Sequence, residues 1–166
     1  MSKRLFVIVR SLLVSSLFVS LWLWFVPRWI AASKDVVLSP DRTWAIAIML
    51  LGAPFALRCI WDFAWSGEGT PAPFDPPRRL VVSGLYRWVR NPMYLSFGVV
   101  FVGEALLFPS VTREMLIVAP LAWLFFTAFV MLYEEPKLRE LFGDEYEEYR
   151  RNVRRWLPRV RPYAAR

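Results

Sequence analysis

Four apolar stretches constrain this chain more than any other feature: residues 5–26, 44–65, 94–108 and 115–133 carry few charges between them. A bilayer span needs roughly 20 predominantly apolar residues, so each stretch is a candidate membrane helix. Composition agrees, because 57% of the 166 residues are hydrophobic and the mean hydropathy is +0.36, against about 45–50% apolar residues in soluble domains. At this length at most about six or seven minimal spans fit, which excludes a large transporter built from repeated halves. Disordered and collagen-like classes fail on hydrophobicity and on the presence of only 7 glycines. The single cysteine, Cys59, cannot pair within the chain and is expected to be an inert core residue. No histidine is present, so imidazole bases and histidine metal ligands are excluded.

Residues 5–26 follow a basic Ser2-Lys3-Arg4 start and end in Trp22, Trp24 and Trp29 around Pro27. This run is too long for a signal-peptide core and lacks a small-residue cleavage site, so it reads as a first span with an aromatic belt. The second span carries Pro54, and Arg58 and Asp62 at i and i+4 near its end, spaced to pair with each other. The third is short and interrupted by Glu104, which is expected to reach the outer interface. The fourth is uncharged and contains Pro120. Basic residues number sixteen in the N-terminal flank, 66–93 and 134–166, against four in the opposite flanks. Lys and Arg are retained on the cytoplasmic side, so both termini are expected in the cytoplasm. The fold class is thus an all-α polytopic integral membrane protein, a single domain over 1–166 with four spans and cytoplasmic segments 66–93 and 134–166. The expected location is a bacterial inner membrane.

Neither polar segment resembles a flexible linker. Residues 66–93 pass from a Gly/Pro-rich stretch through Leu80 to Val82 into the turn-forming Gly84 and an aromatic, arginine-rich run. After the fourth span, Glu134-Glu135-Pro136 is expected to start a new helix that Gly143 ends; Asp144 and Glu147 then resemble a capping box. Tyr146, Tyr149 and Val153 share one face of the helix that follows. From Arg151 onward come six arginines and no acid, a tail suited to anionic head groups. Adjacent helical positions point about 100° apart, so Glu134 and Glu135 are not a paired acid and base on one substrate, and one of them is better suited to meeting a cation. In Gly84–Tyr94, two tyrosines offer hydroxyls and Arg87 and Arg90 offer donors for a carboxylate or phosphate. An interfacial aromatic belt and a helix cap would account for these two groups just as simply.

Residues 80–94, LVVSGLYRWVRNPMY, and 134–149, EEPKLRELFGDEYEEY, together resemble the signature halves of the isoprenylcysteine carboxyl methyltransferase family and the related phosphatidylethanolamine N-methyltransferases. The resemblance covers roughly residues 71–160. It implies a membrane-embedded methyltransferase that uses S-adenosylmethionine without a Rossmann-like domain. On this resemblance Val82, Gly84, Leu85 and Tyr86 line the cofactor site. Arg90, Asn91, Pro92 and Tyr94 lie by the methionine part, and Glu134 and Glu135 supply the acid for its ammonium. Tyr146, Tyr149, Trp156, Leu157 and Pro158 close over the adenosine. Leu95 is expected at the acceptor boundary. Asn91 stands where the family often has histidine and cannot titrate. The nearest glycines after Tyr94 are Gly98 and Gly103 rather than an adjacent pair. The implied partners are the membrane and a lipophilic acceptor (a prenylcysteine carboxylate, a phospholipid amine or a small hydrophobic molecule), with no nucleic acid and no metal. No catalytic side chain is assigned. The rival reading is a non-catalytic membrane protein such as a transporter subunit or scaffold. Small exporters of that kind carry an embedded acid in an early span, whereas here no acid precedes Asp35.

Overall fold

The computed structural model describes residues 39–68 and 77–164, the helix Val26–Ile30 and scattered positions between 5 and 25. The expected first span at 5–26 and residues 69–76 of the Gly/Pro-rich stretch therefore lie largely outside the described residues. Among the described residues every regular element is helical: α1 (Val26–Ile30), α2 (Ala45–Trp65), α3 (Pro92–Leu107), α4 (Thr112–Phe129) and α5 (Glu135–Asn152), with short 3-10 turns at Pro40–Arg42 and Gly84–Arg87. Two helices are long and apolar enough to cross a membrane, α2 and the continuous run that α4 begins; α3 is a shorter apolar helix of 16 residues.

Between apolar helices in lipid there is little hydrophobic drive, so close backbone approach must hold them. α2 and α3 achieve it with small residues. A Cβ on Gly52 would lie 2.7 Å from the Ser96 carbonyl oxygen and 2.9 Å from Val100 Cγ2. A Cβ on Gly103 would meet the Met49 backbone nitrogen at 2.9 Å. Ala45 and Ala56 are buried on α2, and Ser96, Val100 and Gly103 on α3. Glu104 stands in the last turn of α3, on the buried face of Val100 and Leu107, and is 4% exposed. α3 ends only at Leu107, so its last turn is still packed where Glu104 emerges.

Side chains tie together the end where α3 turns into α4. Arg42 donates to Thr112 Oγ1 at 3.2 Å, and Ile30 packs on Ala105, Val111 and Met115. At the opposite end, α2 delivers the Arg58–Asp62 pair, with Arg58 Nε donating to Asp62 Oδ2 at 3.2 Å. Asp62 is buried directly against the turn at Gly84, whose φ is +53° and whose missing Cβ would strike the Asp62 carboxylate. Only glycine combines that left-handed backbone with that lack of bulk.

The expected fresh helix start at Glu134 is instead a continuous passage. Residues Val130–Glu134 form a π-turn in which the Glu135 N–H bonds the Val130 carbonyl, and α5 follows without a break. Pro136 has no N–H for an α-helical bond to Leu132, and a widened turn just before it absorbs the mismatch. Gly143 does interrupt α5, at φ +49°. Glu147 serves two ion pairs, with Arg139 at 2.7 Å and Arg150 at 2.9 Å, rather than the expected capping box. Overpacking a close helix contact costs about 1–3 kcal/mol. Gly52→Ala should therefore lower the unfolding midpoint in a fixed detergent, while Gly98→Ala, which meets nothing within 4 Å, should not; equal midpoints would refute the close-approach account.

Candidate functional site

Both polar segments meet at the Asp62 end of the helices. Following the Gly84–Arg87 turn, Arg90 turns inward and forms an ion pair with Glu135 of α5, Nη1 to Oε1 at 3.1 Å, with the two side chains 9% and 5% exposed. Arg155, beyond the end of α5, donates to both Glu135 oxygens, at 2.7 and 3.0 Å. Arg90 also donates to the Tyr146 hydroxyl at 3.1 Å. Burial works against the charge on Glu135, but the Arg155 hydrogen bonds and the charges of Arg90, Arg155 and Arg139 outweigh it and hold the carboxyl below its ordinary range.

Residues 153–163 form a strap lying across residues 85–91. The Arg90 N–H donates to the Arg154 carbonyl at 2.9 Å, the Arg159 N–H to Trp88 at 2.8 Å, and the Tyr163 N–H to Arg87 at 2.8 Å. Asn91 Nδ2 donates to the Arg155 carbonyl at 3.2 Å and Arg87 Nε to the Tyr163 carbonyl at 2.7 Å. Beneath the strap, Tyr146, Tyr149 and Val153 are buried together, with Leu80 and Val82 packed on them. Tyr149 donates to the Tyr86 carbonyl at 2.7 Å. Tyr86 and Cys59 share a second buried cluster, against which Leu85 packs.

Glu134, one residue earlier, points elsewhere. Its carboxylate accepts a hydrogen bond from the Tyr94 hydroxyl. Burial raises its carboxyl above the ordinary value, the Tyr94 bond draws it back, and the charge of Glu135 pushes it up again. The Tyr94 ring lies 5.3 Å from Phe126 and 6.2 Å from Trp156, which itself lies 4.6 Å from Trp123. Tyr94, Trp123 and Phe126 belong to the wall of a cavity of about 620 Å³ between α2, α3 and α4, which Ile48, Leu95, Gly98, Phe101, Pro120 and other apolar residues complete. Two polar atoms beside the site, Trp156 Nε1 and Arg90 Nε, are buried without a hydrogen-bond partner.

The structure thus gathers Tyr94, Glu134, Leu95 and Trp156 at one junction. Val82, Gly84, Leu85, Tyr86, Arg90, Asn91, Glu135, Tyr146 and Tyr149 lie just beside it, engaged in holding the two segments together, and Pro92 is buried at the start of α3. Leu157 is 64% exposed, and Pro158 lines a different hollow. Arg155, Trp123 and Phe126 were not singled out from sequence. Arg155 reads as one more tail arginine, since its partner lies 20 residues away, and the two aromatics read as ordinary span residues.

An apolar helical bundle whose two polar segments fasten to each other beside an apolar cavity is the arrangement that the fold and the site define. The chain belongs to the phospholipid methyltransferase family, whose profile matches residues 41–145, and it is isoprenylcysteine methyltransferase-like. It is 33% identical over 104 residues to methanethiol S-methyltransferase 1 of Bradyrhizobium diazoefficiens, covering 63% of this chain and 33% of the relative. It is 35% identical over 81 residues to protein-S-isoprenylcysteine O-methyltransferase of Schizosaccharomyces pombe, covering 49% and 34%. A probable enzyme of the latter kind from Oryza sativa subsp. indica is 34% identical over 85 residues, covering 51% and 44%. The chain therefore spans between a third and under half of the length of these relatives. No solved structure matches it significantly.

Breaking a buried ion pair on one side costs about 3–5 kcal/mol, because the remaining charge stays buried. Glu135→Gln should thus destabilise by that amount, whereas Glu134→Gln, whose partner is a neutral hydroxyl, should cost about 1 kcal/mol. Denaturant unfolding in detergent separates the two, and equal losses would overturn the assignment of Glu135 as the fastening acid.

Proposed function

We propose that the chain is a membrane-embedded methyltransferase that uses S-adenosylmethionine and methylates a lipophilic acceptor. On this reading residues 1–166 form one domain with four spans, both termini and the segments 66–93 and 134–166 facing the cytoplasm of a bacterial cell. The observation that carries it is Tyr94, which lines an apolar cavity and donates its hydroxyl to a carboxylate that forms no ion pair among the described residues.

The donor set fits such a cofactor. Glu134 is the acid available for an ammonium, since Glu135 is already matched by two guanidiniums. Trp156 Nε1 and Arg90 Nε are buried donors awaiting acceptors. When bound, S-adenosylmethionine supplies a methyl group on a sulfonium, which leaves by in-line displacement as a neutral sulfide. The protein's share is then orientation and exclusion of water, supplied by the Tyr94, Trp123, Phe126 and Trp156 rings. The cavity volume lies within the range of about 300–1,000 Å³ that holds small ligands. Leu95 and Gly98 stand on the first turns of α3 inside it, where an acceptor's apolar tail would lie. The relatives are named for isoprenylcysteine and methanethiol, both sulfur-bearing acceptors, and a lipophilic acceptor suits a cavity walled almost wholly by apolar side chains.

Isothermal titration of the detergent-solubilised protein with S-adenosylmethionine and its demethylated product should show binding of both, weakened roughly ten-fold or more in Glu134→Gln. Failure of both to bind overturns the enzyme reading in favour of a non-catalytic membrane protein. Leu95→Trp should leave cofactor affinity nearly intact yet block product formation across a panel of prenylcysteine analogues, phosphatidylethanolamine and hydrophobic thiols. Methylation of water-soluble acceptors alone would refute the lipophilic acceptor. For topology, cysteines at Ser2 and Ser66, in a background lacking Cys59, should resist an impermeant thiol reagent applied to intact cells; labelling from outside reverses the orientation.

A further inference from the structure

Cations along α5 and the start of the strap are matched by acids: Lys137 by Glu140, Arg139 and Arg150 by Glu147, and Arg155 by Glu135. Four arginines break that pattern. Arg151, Arg154, Arg159 and Arg161 form no ion pair among the described residues, and they line one hollow of about 550 Å³ with no acid in its wall. Arg151 Nε reaches only the Glu147 carbonyl, at 3.3 Å, and Arg159 reaches the carbonyls of Asn152 and Arg161. Carbonyl acceptors leave a guanidinium's charge uncompensated, so four such charges around one concavity repel each other until an anion enters.

The hollow is held in shape, because the backbone bonds from Arg159 to Trp88 and from Arg90 to the Arg154 carbonyl fix the strap on both sides of it. Guanidiniums match phosphate oxygens with forked, charge-assisted hydrogen bonds. Beside them two apolar side chains face outward, Leu157 at 64% exposure and Val160 at 94%. Unpaired arginines interleaved with exposed aliphatic groups are the composition of a segment that rests in the head-group layer. We propose that this hollow binds the phosphate of an anionic phospholipid, with Val160 and Leu157 seated in the interface. No residue of the hollow lines the apolar cavity, so this lipid is a separate ligand from the methyl acceptor. The strap also carries Arg155 and Trp156, so the bound head group holds the cover of the Tyr94 junction in place. The assignment does not depend on the methyltransferase reading.

The test is native mass spectrometry of the full-length protein in detergent with equal amounts of phosphatidylglycerol and phosphatidylcholine of matched chains. Phosphatidylglycerol should be retained several-fold over phosphatidylcholine. Arg154→Gln with Arg161→Gln should abolish that preference without shifting the unfolding midpoint, since neither guanidinium makes a contact that supports the fold. Arg78→Gln with Arg113→Gln, which also removes two charges but none from the hollow, should keep the preference. Equal retention of the two lipids, or a preference that survives the double substitution, overturns the proposal. Displacement of the lipid by excess inorganic phosphate also overturns it, by assigning the hollow to free phosphate.

Discussion

The Arg90–Glu135–Arg155 triad is the interaction on which the polar end of this molecule depends. It joins three pieces of chain that no helix packing would otherwise align: the turn before α3, the first residue of α5 and the strap. Buried ion pairs add little net stability, because desolvation offsets attraction, but they punish any arrangement that leaves one partner alone. Its consequence here is register. With Glu135 held from both sides, Glu134 is kept at the Tyr94 hydroxyl, and Trp156 meets the Tyr94 ring edge-on and the Trp123 ring at a tilt.

The division of labour between two adjacent acids falls where the π-turn at Val130–Glu134 runs into α5. A regular helix would also point neighbouring residues apart, but the widened turn carries the backbone through Pro136 without breaking the rod. Glu135 is committed to its two guanidiniums, while Glu134 accepts a hydrogen bond from Tyr94, a residue of the cavity wall. The same sequence pair, Glu134-Glu135, does two jobs that differ in counter-charge: two guanidiniums on one acid, a phenol hydroxyl on the other.

Much of this was legible from local patterns. The apolar stretches located α2 and α4 within a few residues, the i, i+4 spacing paired Arg58 with Asp62, and Gly143 marked a real break. The two polar signatures were expected to share one site, and Gly84 to Tyr94 does meet Glu134 to Tyr149. What escaped was long-range pairing. Nothing about Arg155 distinguishes it from its neighbouring arginines until Glu135 is seen beside it, and Trp123 gains meaning only from Trp156. Phe108-Pro109 marked the end of α3 correctly, but the packing that buries the Glu104 side chain in its last turn has no composition signal. Pro136 was read as a helix start because a proline is favoured there, and the π-turn that admits it inside a continuous helix has no composition signal.

The strap's reach has a consequence in time. Arg87 and Tyr163, which bond each other, are separated by 76 residues, and a ribosome adds about 5–20 residues per second. The apolar helices therefore have seconds to pack through Gly52 and Gly103 before the strap is made, and the Arg90 guanidinium is synthesised well before its acid. Packing of α2 on α3 and fastening of the strap are thus set apart along the chain, and Tyr94 is synthesised well before Trp156, the ring that lies against it.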